Sequence, residues 1–596
     1  MAKQVLSYGE FRLRVLSAAP VLADRLPYEK PAAPAPVDRR ATIQAVRRAG
    51  SMLNEGTMVV GWGDGTAAKL IAEDGPLFRK ATSYLVLPGE APAFAHALDQ
   101  PWFQHLILAP HHQVHFADTL DGARAIISRI FATHNDITRL AGTAVLCEHP
   151  LAAAPQRARD EWLPGIRKAI VERLDCLGND VHDTFLGAKH AIMHGRRMVE
   201  YPRSSSLLNL HKGQSAICIA SGPSARPHFE RIREIQHEHV VICADSILGG
   251  LLDHGIEPDY VCMVERPPEM VKLIEKVAAR CKTRLVALPV VHPSTIEHFA
   301  GRTVWWWNAD DLYPWLDPAE PRLSSGRSAG THTVAMAGVL GVADAWLVGH
   351  DLAYHEGRSH SEGTADLAVS TQAADTAQLT DNNPNYHLRR FMTAKNGGGT
   401  VETSGIWEIF RSDVEAIIAA WRGTTRFHNV NIASGVGALI AGCQDLGLPA
   451  ASGRTIEKPR PERIVDQAAV EAHMRRSAAL AEDFASIAER CKALGDELAT
   501  LRPLQLDRAA CERMASRLNI CDMACSENRI LIAYIFRAAL RNLMVKLHHN
   551  TYVRTMPERN WNQLQVMRYY AATLPPLVAR LRPELDEAIA AGAAHV

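Results

Sequence analysis

The 596 residues exceed what one hydrophobic core serves, so the length predicts three or four packed units. Lys plus Arg (65) balances Asp plus Glu (65), which excludes holding nucleic acid or an anionic membrane by a field spread over the whole surface. Eleven cysteines in no paired framework, with Cys521 and Cys525 not forming a CxxC, and a start without a basic n-region and apolar h-region, predict a cytoplasmic chain that is neither secreted nor membrane-spanning.

Pro31 to Pro36 (PAAPAP) reads as an extended linker, because proline fixes the backbone and donates no amide. Four apolar runs follow, TMVVGWG (57–63), SYLVLPG (83–89), HLILAP (105–110) and GTAVLCEHP (142–150), separated by helical spacing such as GARAIISRIFATH (122–134). This rhythm predicts a small α/β layer. His111, His112 and His115 have zinc-compatible spacing, but no carboxylate or cysteine completes a set, and a solvated loop is expected. A helical segment from Leu163 to about His194 leads to the serine run Ser204 to Ser206.

Six short β-branched runs come next: SAICIASG (215–222), HVVICADS (239–246), DYVCMVER (259–266), RLVALPVV (284–291), RTVWWWN (302–308) and ADAWLVGHD (343–351). With helices such as GTHTVAMAGVLG (330–341) between them, they predict a buried, mostly parallel sheet. Ligands in such sheets sit beyond the carboxyl ends of the strands, which directs attention to Ser221, Asp245, Glu265 and Asp351. Trp305 to Trp307 could stack a base or sugar, though core packing of a strand is the stronger reading. Beyond Pro459 and Pro461 long amphipathic helices take over, for example 470–501 and 530–550, as in a helical bundle. There is no tandem repeat.

Three segments carry chemistry. ICIASGPSAR (217–226) is a strand entering a small-residue turn, with Gly222 free to take positive φ and Pro223 suited to a first helical turn. Such a turn presents amides to a phosphate. A ligand-free turn needs the same residue types, and no Gly-Lys-Ser/Thr makes this a Walker loop. Asp245 either accepts ribose or base hydrogen bonds or caps the next helix, and Glu265 is equally two-sided. The run 330–363 ends in His350, Asp351, Tyr354, His355 and His360, of which Tyr354 and His360 have the donors to steady a departing phosphate. The competing reading is that these side chains only cap and line a loop.

IASGPSAR, CADSILGGLLDHGIEPDYV, GVADAWLVGHDLAYHEGRSH, KNGGGTVETS (395–404) and NIASGVGALIAG (431–442), in this order and spacing, resemble the DUF115 domain of flagellin-modifying motility accessory factors. GNDVHDTFLGAKHAIMH (178–194) adds weaker support, and the central segments are more distantly similar to small bacterial sialyltransferases. The resemblance implies an α/β protein: an N-terminal α/β domain with leading linker (1–198), a central Rossmann-like, sialyltransferase-like parallel sheet domain (199–455) and a C-terminal α-helical domain (456–596).

It further implies transfer of a nonulosonic acid of the pseudaminic or legionaminic type from its CMP-activated form to Ser or Thr of flagellin, in the service of flagellum assembly and motility. Ser221, Gly222, Pro223 and Ser224 would cradle the nucleotide, with Asp245, Glu265, Thr333 and Asn431 completing the donor site. Tyr354 would contact the leaving phosphate, with His360 where the sialyltransferases place a tyrosine; His332 and Thr333 would face the sugar or phosphate, and Asp351 joins the catalytic set. The relatives' later histidine base has no counterpart in Lys395 to Thr403, which leaves His332, His387 and Asp351 as candidates. A monophosphate leaving group dispenses with the metal that a diphosphate commonly needs, and the core segments hold no DxD motif. No permanently bound cofactor is implied, the partners are flagellin and the nucleotide-sugar, and homo-oligomerisation is left open. Two rivals remain: an ATP- and magnesium-dependent hydroxymethylpterin pyrophosphokinase, which the long helical tail disfavours, and a non-catalytic flagellin-binding chaperone.

Overall fold

A computed structural model describes chiefly residues 29–51, 56–131, 143–147, 159–170, 181–361, 389–394, 399–430, 437–462, 467–502, 507–518, 527–539 and 556–594, apart from single positions within them. In chain order the first elements are α1 (Arg39–Ser51), β1 (Gly56–Val60), α2 (Thr66–Glu73), β2 (Ala81–Val86), α3 (Ala91–His96), α4 (Pro101–Ile107), β3 (His112–Phe116), α5 (Leu120–Ile130) and β4 (Thr143–Cys147). The four strands form a parallel sheet in the order β3-β2-β1-β4.

Three of the four amino-terminal apolar runs are strands, and HLILAP is not. Its first residues close α4, which buries Phe103 and Leu106, three residues apart. A short apolar run has no period of its own to separate strand from helix, and here Pro101 at the helix start decides it. The histidine-rich segment after it is edge strand β3 rather than a solvated loop. His111 and His112 both direct Nε2 at the carbonyl oxygen of Phe78, at 2.6 and 2.8 Å, so these rings serve the packing of β3.

The later elements are α6 (Val181–Met193), β5 (Ser215–Ile219), α7 (Phe229–Ile235), β6 (Val240–Ala244), α8 (Leu248–Asp253), β7 (Tyr260–Met263), β8 (Arg284–Ala287), α9 (Pro293–His298), β9 (Thr303–Trp305), α10 (Ala329–Leu340), β10 (Asp344–Val348), β11 (Arg389–Thr393), β12 (Thr400–Ser404), α11 (Gly405–Trp421), β13 (Arg426–Asn429) and β14 (Gln444–Asp445). All six central runs are strands of one eight-stranded sheet, ordered β14-β13-β10-β5-β6-β7-β8-β9 and parallel throughout. Strands β5, β6 and β7 are buried along almost their whole length, which explains their unbroken Val, Ile and Cys content. Trp305, Trp306 and Trp307 are sealed in the core, with the first two indole N–H groups donated to Arg197 O and Leu323 O. The antiparallel pair β11-β12 stands apart from this sheet.

Helix α10 is buried from Thr331 to Leu340, so it is apolar all round rather than amphipathic. Ser328 and Thr331 cap its start reciprocally, and Gly341 ends it at φ 71°. Gly338 lets α11 come close: a Cβ there would lie 2.4 Å from the Trp421 ring.

Among the described residues the helices that follow include the long α12 (Gln467–Thr500) and α14 (Met556–Ala594) and the shorter α13 (Arg508–Arg517). The chain divides into two compact units, and these helices contribute to both. One unit comprises Met1–Val181, Glu489–Ile520 and Phe536–Pro576; within it Leu494, Leu498, Leu518, Leu564 and Met567 cluster. The other comprises His182–Ala488, Cys521–Ile535 and Leu577–Val596; within it Asn528 links the Trp315 indole N–H, 2.9 Å, to Asp483, 2.8 Å. No described helix is long and apolar enough to cross a membrane.

Candidate active site

The site is built where β5 and β10 end side by side. Ala220 donates its N–H to Val348 O and Gly222 donates to Gly349 O, both at 2.9 Å, so the two strand ends stay bonded past the sheet. The approach leaves no room for side chains. A Cβ on Gly222 would fall 2.3 Å from Gly349 O, and one on Gly349, which also takes φ +70°, would fall 2.3 Å from Ala220 O. Close approach, not positive φ, is therefore what requires glycine at 222, since Gly222 is absent from the positive-φ residues. Pro223 sits inside the turn that Ala225 N–H closes on Gly222 O at 3.0 Å, and the first helical turn begins only at Arg226.

Asp351 anchors this turn. Its Oδ2 accepts the N–H of Ser224 at 2.8 Å, and its backbone carbonyl accepts the N–H of Ala438 at 2.7 Å. From the other side Ser361 donates its N–H to Ser221 O at 2.8 Å, folding the segment with Ser359 and His360 back over the turn.

A cleft opens at these strand ends. Ser221 and Gly222 line it after β5, Asp245 and Ser246 after β6, Glu265 after β7, and His350, Leu352 and Ala353 after β10. The first turn of α10, Ser328 to Thr331, forms a further wall, where a helix leaves its first N–H groups without intrahelical partners. Trp407, Phe410 and Val414 of α11 supply an apolar wall, with Met270 near it in character.

The structure thus gathers Ser221, Gly222, Asp245, Glu265 and His360 of the sequence-predicted set around one cleft. Pro223, Ser224 and Asp351 stand behind it as the frame of the turn. Thr333 is fully buried, with its Oγ1 donating to Gly330 O at 2.8 Å. The Tyr354 ring packs on Trp407, 4.5 Å between centroids, rather than lining the cleft. Asn431 and His387 lie outside the described residues. His332 was expected to face the substrate, and it does not: it is sealed in the core against Trp306, neither ring nitrogen has a hydrogen-bond partner among the described residues, and burial lowers its pKa to about 3. A helix buried all round turns some polar residues inward, and spacing alone does not reveal which.

Asp245 is the most perturbed acid of the cleft. It is 5% exposed, Oδ1 accepts the N–H of Ser246 at 2.7 Å, and Oδ2 has no partner among the described residues. Burial, with Glu265 nearby, raises its pKa to about 7. Glu265 is open to the solvent of the cleft, yet the protein around it still raises its carboxyl, against the pull of Arg266. His350 is held neutral, its pKa lowered by burial to about 4, with Nε2 at 3.2 Å from both Gly330 O and Thr333 Oγ1. Among the described residues lining the cleft there is no Lys or Arg.

Sequence reasoning missed Ser328 and the α11 wall. Ser-x-x-Thr before α10 was a legible capping signal. Trp407, Phe410 and Val414 show helical spacing, but nothing local says that they face the strand ends.

A central, wholly parallel sheet with a cleft at its carboxyl ends defines the class of the molecule, an α/β protein with a Rossmann-like core. The comparisons with known proteins narrow this. Residues 189–357 match the family model described as 6-hydroxymethylpterin diphosphokinase MptE-like. No curated protein matches the chain by sequence. Among solved structures, the Maf glycosyltransferase of Magnetospirillum magneticum AMB-1 is similar over 97% of this chain and 90% of that one, with a TM-score of 0.54 and 16% identity. The likeness at this identity is one of fold, and it extends to the α/β and helical segments on either side of the central sheet.

Proposed function

We propose that the protein is a glycosyltransferase that binds a CMP-activated nonulosonic acid of the pseudaminic or legionaminic type in the central cleft and transfers the sugar to Ser or Thr of flagellin. The observation that carries the reading is the cleft at the carboxyl ends of β5, β6, β7 and β10, whose β5 turn is fixed by Asp351 and by the Gly222–Gly349 contact. The Ser221 hydroxyl at the end of β5 and the first N–H groups of α10, at Ala329 and Gly330, suit the single phosphate of such a donor, whereas the amides of Gly222, Ser224 and Ala225 are engaged within the turn. The whole-chain likeness to a Maf glycosyltransferase supports the same reading.

In the transfer, the acceptor oxygen bonds to the anomeric carbon as the bond from that carbon to the phosphate breaks; CMP departs and the hydroxyl proton passes to a base. Asp351 acts as a positioning residue for the turn, because its carboxylate is engaged with Ser224. Asp245 serves the nucleoside from the end of β6. Intact-mass analysis of flagellin co-expressed with this protein and a CMP-nonulosonate supply tests the reading. A mass increment of one sugar per modified site is expected, and its absence sinks the transferase.

One observation favours a second reading. The match to the diphosphokinase model covers the turn, Asp245 and Glu265, and two acids at strand ends are what a magnesium-bound triphosphate uses. Incubation with ATP, magnesium and hydroxymethylpterin separates the two, since only this alternative yields a pterin diphosphate.

A further inference from the structure

The matched family segment ends at residue 357, and one wall of the cleft lies beyond it. In α11, Trp407, Phe410 and Val414 recur at positions i, i+3 and i+7, so one helix face presents all three. Val414 is buried, but Trp407 and Phe410 keep part of their surface exposed and line the cleft. Two partly exposed aromatic rings beside polar strand ends make the cleft two-sided, polar along the sheet and apolar along α11. The wall is also braced. The Tyr354 ring packs on Trp407 at 4.5 Å and an interplanar angle of 52°, and Gly338 admits Trp421 to dock α11 on α10.

Strand order, taken with the donor-site reading above, says which part of a ligand meets this wall. Neighbouring strands run β7-β6-β5-β10, and their ends carry Glu265, then Asp245, then the Ser221–Gly222 turn, then Leu352 and Ala353. A nucleoside, phosphate and sugar laid along that row put the nucleoside at the two acids and the phosphate at the turn. The sugar then falls at the end of β10. Tyr354 follows that end and touches Trp407, which places the α11 wall beside the sugar.

We propose that Trp407 and Phe410 are the sugar platform of the donor site, packing against the C–H face and the methyl and acyl substituents of the transferred residue. The assignment rests on the donor-site reading above. An apolar wall gains from burying methyl and acyl groups and gains nothing from hydroxyls. The platform therefore favours nine-carbon acid sugars that end in a methyl group and carry acylated amines over those with a fully hydroxylated tail.

Titration calorimetry of the full chain with CMP and with CMP-pseudaminic or CMP-legionaminic acid tests this, using wild type, Trp407→Ala, Trp407→Phe and Phe410→Ala. CMP affinity is expected to stay the same in all four. The CMP-sugar is expected to bind at least tenfold more weakly to Trp407→Ala and Phe410→Ala and to recover in Trp407→Phe, which keeps a ring and the packing on Tyr354. Wild type should also prefer either sugar to CMP-N-acetylneuraminic acid, a preference that Trp407→Ala loses. Equal losses for CMP and CMP-sugar, or no loss for either, overturn the platform while leaving the donor site standing. Failure of wild type to bind CMP or any CMP-sugar overturns the donor-site reading itself, and the platform with it.

Discussion

The Asp351 carboxylate accepts the backbone N–H of Ser224 at 2.8 Å, joining the loop after β10 to the turn after β5 across 127 residues of sequence. A buried N–H that loses its acceptor bears the full cost of its desolvation. Asp351→Ala leaves that N–H unpaired and is expected to cost about 1–3 kcal/mol of stability. CMP affinity should fall with it, because the turn loses its anchor. Asp351→Asn retains an acceptor and should keep most of both. Chemical denaturation and calorimetry on the two variants check the order.

The glycines of the crossing make a sharper prediction. An added Cβ at Gly222 or Gly349 meets a backbone carbonyl at 2.3 Å, which no rotamer change relieves. Gly222→Ala and Gly349→Ala should each abolish CMP binding, and Gly349→Ala should destabilise the fold more, since φ +70° adds backbone strain of about 1 kcal/mol. Gly357→Ala is the control: its φ is also positive, at +76°, but a Cβ there meets nothing within 4 Å. It should bind CMP normally.

Asp245 ties the cleft to pH. Its pKa rises from 3.8 unfolded to about 7 folded, so between these values the native state holds a proton that the unfolded chain has released. Stability from this group is fully present below the unfolded pKa and is lost as pH rises through the folded one. Asp245→Asn removes the ionisation and should stabilise the protein at pH 8 by about 2–4 kcal/mol, with no gain near pH 4. Melting temperatures of both proteins across this range measure it. A constant difference at every pH would contradict the assignment.

In the amino-terminal sheet, Glu90 accepts the N–H groups of Trp62 at 2.8 Å, Gly63 at 3.3 Å and Leu87 at 2.8 Å. The glycine-rich loop after β1, with Gly61, Gly63 and Gly65 all at positive φ, thus has its own carboxylate where a bound anion would otherwise sit. Glu90→Ala should destabilise the chain by about 2–3 kcal/mol in urea. The exchange protection lost should concentrate in residues 56–131, and CMP binding in the central cleft should not change.

The sequence by itself determined the six central strands and the strand ends at which the cleft opens. Residues 215–351 carry runs of Val, Ile and Cys that only a doubly covered parallel sheet buries, and such sheets put Ser221, Asp245 and Glu265 at their functional edge. Local pattern misread HLILAP and the histidines after it, where a run of a few apolar residues fits helix and strand alike. Only the tertiary structure decided what each polar residue faces. It turned His332 into the core, set Asp351 behind the turn, and brought Trp407 and Phe410, some sixty residues beyond β10, to the strand ends. These outcomes depend on which face of a helix meets which neighbour, and that is settled by packing between segments far apart in the chain.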